Sequence, residues 1–124
     1  MNTRFFLVVS LALTGLNHSN GLDWPTYGGP NRNHSTNEES LRLEWGNDEP
    51  QTLWSLEVGL GYSSVVEVDG RAYTQGYSDN ANTLYCVDVH TGKILWRHRY
   101  PSGLGDKYFQ GGTRSTPTVH DGRV

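Results

Sequence analysis

The chain has 124 residues, with 10 basic and 13 acidic side chains, one cysteine and 35% hydrophobic residues. A single cysteine excludes an internal disulfide framework, and a net charge of −3 leaves no basic field to attract nucleic acid. Glycine at 15 residues and aromatics at 11% suit strands and tight turns better than a helical bundle.

The N-terminus comes first. Met1-Asn2-Thr3-Arg4 carries one positive charge, and Phe5 to Leu16 is then mainly apolar. That run of about twelve residues is shorter than the ~20 needed to cross a bilayer. A basic start, a short apolar run and the small-residue exit Ser19-Asn20-Gly21 describe a cleavable signal peptide over residues 1–21. Secretion or a periplasmic location follows. Leu13-Thr14-Gly15 imitates the approach to a lipid-modified cysteine, but Leu16 stands where that cysteine is required, so no lipid anchor is expected. Removing residues 1–21 takes away Arg4 and no acid, which leaves a net charge of −4. Residues 22–52 form a leader without a trustworthy helical stripe.

Strands dominate the remainder. Leu53–Val58 is a short β-rich run, and Ser63–Val68 is a second, rich in valine. Asp69-Gly70 then separates it from Arg71–Gln75, the pattern of a tight hairpin whose central residues need positive φ. Gly76–Asn82 is polar and reads as a loop. Thr83–Val89 is a third strand of the unit, and His90-Thr91-Gly92-Lys93 turns the chain into a fourth, Ile94–Arg99. A glycine-rich loop over 101–112 follows. Arg114–His120 opens a new strand before a second Asp-Gly turn at Asp121-Gly122.

The sequence repeats itself. Leu53-Trp54 recurs as Leu95-Trp96, 42 residues later, and Ser63–Arg71 recurs without a gap as Ser115–Arg123, at an offset of 52. The extra ten residues fall in the glycine-rich loop. A period of ~40–45 residues with four strands per unit describes a β-propeller blade. The fold class expected is all-β, a propeller of which about one and a half blades are in hand. Residues 53–58 would be a closing strand, 63–99 a blade and 115–124 part of the next. Because a propeller takes roughly 4–8 blades, the 124 residues are expected to be a fragment of a longer protein.

Leu84-Tyr85-Cys86-Val87-Asp88-Val89-His90-Thr91-Gly92-Lys93-Ile94-Leu95-Trp96 resembles the blade signature of the pyrroloquinoline-quinone-like (PQQ-like) repeat family, small–x–Asp–x–x–Thr–Gly–Lys–x–x–Trp. Cys86 takes the small position, usually alanine. The leader Trp24–Asn33 resembles the segment that precedes such propellers in secreted bacterial proteins. The resemblance implies that Trp96, and Trp54 one repeat earlier, dock between adjacent blades. Asp88, Thr91, Gly92, Lys93, Trp96 and Trp54 are therefore read as structural. Asp88 can cap the turn with its carboxylate, and each indole needs one acceptor.

Other features carry weaker chemistry. Gly59-Leu60-Gly61 lacks the third glycine and the following helix of a dinucleotide loop. Asp79–Asn82 offers oxygen ligands but lacks the glycine and distal glutamate of a calcium loop. The five histidines show no metal spacing, and Cys86 sits mid-strand as a small buried side chain. No residue is read as catalytic and none as a metal ligand. The ligand-contact candidates are Tyr62, Ser63, Arg114 and Ser115, which flank the starts of the repeated strands near the channel of a propeller.

The function expected is a non-enzymatic binding or assembly scaffold that presents loops and channel edges to protein or polymer partners. It is similar to the propeller of the outer-membrane assembly machinery. One alternative is a quinone-dependent alcohol or sugar dehydrogenase, which would hold pyrroloquinoline quinone and calcium on the propeller axis. Another is a propeller joined to a further module, such as a kinase or haem domain.

Overall fold

A computed structural model describes residues 21–39, 43–47, 49–108 and 110–124. The signal-peptide expectation falls outside these residues except at Gly21. The described chain is all-β and contains no helix. No helix among the described residues is long and apolar enough to cross a membrane.

Four strands form one antiparallel meander: β1 (Val66–Val68), β2 (Arg71–Ser78), β3 (Ala81–Asp88) and β4 (Ile94–Pro101). Each joins its neighbour through a turn that the local sequence dictates. Asp69 and Gly70 have φ of 51° and 71°, the doubly left-handed geometry whose twist matches a two-residue hairpin. Asp121 and Gly122 repeat it, with φ of 47° and 69°, and His120 pairs with Arg123 around them.

The polar run at 76–82 departs from the expected loop. Gly76–Ser78 and Ala81-Asn82 extend β2 and β3, and only Asp79-Asn80 turns. Those two residues have φ of 49° and 57°. Asn and Asp tolerate this region better than other non-glycine residues, so the pair acts as an Asp-Gly turn does. Two further expected strands form no ladder. Residues 53–58 and 114–119 run without strand pairing among the described residues.

The pleat divides the sheet into two faces. Val66, Tyr73, Cys86 and Trp96 are successive cross-strand partners and share one face. Val66, Tyr73 and Cys86 form the buried core there, with Val119 from the second repeat packed against them. Ala72, Gly76, Thr83 and Val87 share the opposite face with the larger Tyr85, Arg97 and Arg99. Segment 54–61 lies across it. A Cβ on Gly76 would collide with the Val58 carbonyl, and Leu60 and Tyr77 exchange backbone hydrogen bonds of 2.8 and 2.9 Å. The sheet is thus flanked by the segment that precedes it on one face and by the second repeat on the other.

Candidate functional site

The two repeat copies meet at their strand starts. Gly61 and Thr113 form a parallel bridge, and these positions are 52 residues apart, the offset of the sequence repeat. The Tyr62 N–H donates to the Thr113 carbonyl at 2.7 Å. One step further, the Ser64 N–H donates to Thr116 Oγ1 at 3.1 Å, again between equivalent positions. Gly61 needs its lack of a side chain, because a Cβ would strike the Thr113 hydroxyl. At this bridge the two similar stretches run in the same direction, with positions 52 residues apart side by side.

Tyr62, Ser63, Arg114 and Ser115 all lie at this junction. Tyr62 is 57% exposed, and its hydroxyl donates to Gln110 Oε1 at 3.4 Å. Ser63 donates to the Ser64 carbonyl and accepts from the Gln75 N–H at 3.3 Å. Ser115 accepts from Gln75 Nε2 at 3.3 Å. Arg114 turns away, and its guanidinium donates to the Gly105 carbonyl at 2.8 Å, clamping the glycine-rich loop. Ser63 and Ser115 are thus linked through one residue, while Tyr62 and Arg114 point to different parts of that loop.

The linking residue, Gln75, was absent from the sequence-based set. Its backbone carbonyl accepts from Thr113 Oγ1 at 3.2 Å, and its side-chain oxygen accepts from the Tyr100 hydroxyl at 3.1 Å. Gln75 thereby ties β2, β4 and both strand starts together. Nothing in its own neighbourhood announces this. The role comes from β2 passing between the two copies.

A second junction involves the repeat motif. The Asp88 carboxylate accepts from the Thr91 N–H at 2.8 Å and the Thr91 hydroxyl at 2.7 Å. These bonds to the ionised form hold Asp88 below the usual carboxylate range. Lys93 closes the turn with its carbonyl, which accepts from the Asp88 N–H at 2.9 Å. Gly92, at φ of 70°, leaves room for the Trp54 ring, whose atoms would stand 2.7 Å from a Cβ there. The Trp54 indole N–H donates to the Val89 carbonyl at 2.7 Å. Trp96, the equivalent residue one repeat later, is 41% exposed and touches Tyr73, with ring centroids 5.9 Å apart.

No family model matches the chain, and no curated protein and no solved structure matches it.

Burial pushes the Cys86 thiol up, which keeps it protonated beside Tyr73. Asp79 and Asn80 form the turn between β2 and β3, and the Asp79 carboxylate stays exposed. No group of three or more His, Cys, Asp or Glu side chains among the described residues could hold a metal ion. An acidic cleft of about 500 Å³ lies between Asp23, Glu67, Asp69 and His90. Glu67 is pushed up there, first by burial and then by the charges of Asp23 and Asp69.

Proposed function

We propose that the protein is a secreted or periplasmic β-propeller of the PQQ-like repeat type that acts as a non-enzymatic binding or assembly scaffold. The observation that carries this reading is the parallel, in-register contact between equivalent residues of the two copies, at the Gly61–Thr113 bridge. Units related by rotation about an axis bring equivalent strand starts together in the same direction. Units in a hairpin stack would bring them together in opposite directions. The seat of Trp54 on Gly92 and the Val89 carbonyl supports the same arrangement, because it joins the Leu53-Trp54 segment to the Thr-Gly-Lys turn of the following unit. On this reading further repeats complete the ring.

The non-enzymatic part rests on how the polar groups at the strand starts are used. Ser63, Ser115, Thr113, Thr116 and Gln75 direct their hydrogen bonds at one another, at backbone and at Tyr100, and so hold the repeats in register. Partners would then be protein or polymer, met by the loops and by the exposed Tyr62. The test is calorimetric titration of the full chain with pyrroloquinoline quinone and calcium. No heat of binding is expected. Saturable heat with the quinone would replace the scaffold by a quinone-dependent dehydrogenase.

A further inference from the structure

β4 is an edge strand of eight residues, and no strand pairs with its outer side among the described residues. The register fixes which residues face outward. Asp79-Asn80 is a two-residue turn, so Ser78 and Ala81 form a hydrogen-bonded pair, and such pairs alternate along an antiparallel ladder. The Ser102 N–H donates to the Asn80 carbonyl at 3.0 Å, which makes Ala81 and Pro101 a non-hydrogen-bonded pair. Tyr100, His98 and Trp96 therefore bond to β3. Arg97 and Arg99 turn both their N–H and their C=O toward the open side. Pro101 lacks an N–H and ends that side.

The edge is cationic. Lys93, Arg97 and Arg99 lie in a stretch with no acidic residue between Asp88 and Asp106. Arg97 and Arg99 share a face with Tyr85 and Thr83, their partners on β3, and with Ser78 and Asp79 they line a groove of about 230 Å³. Arg99 is 4.0 Å from the Asp79 carboxylate, one of its guanidinium nitrogens, Nη2, donates to the Ser78 and Asp79 carbonyls at 3.4 and 3.0 Å, and about half of its side chain stays exposed. A second copy is a poor occupant. Antiparallel self-pairing would set arginine opposite arginine, which destabilises a strand pair.

We propose that β4 captures an extended acidic polypeptide by strand addition. The peptide exchanges backbone hydrogen bonds with Arg97 and Arg99, and carboxylates two residues apart sit opposite their guanidiniums. This rests on the propeller reading, in which β4 is the outer strand of its blade and stays open at the rim.

The probe is a fluorescein-labelled peptide alternating glutamate with threonine, titrated with the full chain at low ionic strength and read by anisotropy. Saturable binding is expected. N-methylation of alternate residues leaves the peptide's charge intact and removes the donors on one edge, so affinity should fall by about tenfold or more. Arg97→Gln and Arg99→Gln should each weaken binding of the unmodified peptide, checked on chains whose β circular dichroism is unchanged. No binding of the unmodified peptide overturns the proposal. So does equal binding of the N-methylated form, or equal binding of polygalacturonate at matched charge, since either leaves only an unspecific cationic patch. Hydrogen exchange at Tyr62 and Ser64 on the same samples reports the packing of the repeats, so failure of strand addition is separable from failure of the propeller reading.

Discussion

Two side chains show what single residues do here. Glu67 lies in a cleft with Asp23 and Asp69, and burial raises its carboxyl above the ordinary 4.5. A carboxyl raised on folding favours the native state while protonated, and that contribution is lost as pH rises through the folded value. At neutral pH Glu67 is thus a net strain, although its Oε1 accepts from the Gly70 N–H at 2.8 Å. Glu67→Gln keeps an acceptor for that bond and removes the charge. It should raise Tm by a few degrees at pH 7, and the gain should vanish below about pH 4, where the wild-type carboxyl is protonated too. Trp54 is the second case. Trp54→Phe keeps a ring over Gly92 and loses the bond to the Val89 carbonyl, at a cost of about 1 kcal/mol in urea unfolding. Trp96→Phe should cost less, because Trp96 lies 41% exposed at the sheet surface. That the Trp54 indole needs an acceptor was legible in the sequence. The choice of the Val89 carbonyl was not, because it depends on how segment 54–61 crosses the sheet.

At the scale of elements, turns decide the architecture. Asp69-Gly70 and Asp121-Gly122 were readable because glycine is the usual residue for a left-handed second turn position. Asp79-Asn80 adopts the same geometry without glycine, and the polar residues around it disguised five strand residues as loop. Asn80→Val places a β-branched residue at φ of 57° and should destabilise the chain by about 1–2 kcal/mol. It also loses the contact in which the Tyr77 hydroxyl donates to Asn80 Oδ1 at 3.2 Å. Chemical denaturation followed by β circular dichroism measures the cost. A change within a few tenths of a kcal/mol would mean the turn does not hold β2 against β3. The runs at 53–58 and 114–119 are the counterexample to local reading. Both have the composition of strands, yet a ladder needs a partner edge, and their hydrogen bonds are single ones, such as Trp54 to the Val89 carbonyl, Thr116 to the Ser64 N–H and the Val119 N–H to the Pro25 carbonyl.

Across the whole molecule, the central feature is the lateral contact of two sequence repeats. The repeat itself was visible as Ser63–Arg71 against Ser115–Arg123. What the sequence could not display is Gln75, which sits in one copy's second strand and bonds to the strand starts of both. The repeat singled out Tyr62, Ser63, Arg114 and Ser115 as candidates, and two of them, Ser63 and Ser115, are joined through Gln75. Native-state hydrogen exchange on the full chain tests this packing most directly. If the copies form one cooperative unit, the Tyr62 and Ser64 amides, which donate to Thr113 and Thr116, are protected and open together with the β2 and β3 amides. Exchange of Tyr62 and Ser64 at unprotected rates, with β2 and β3 still protected, would show that the copies do not pack as successive blades.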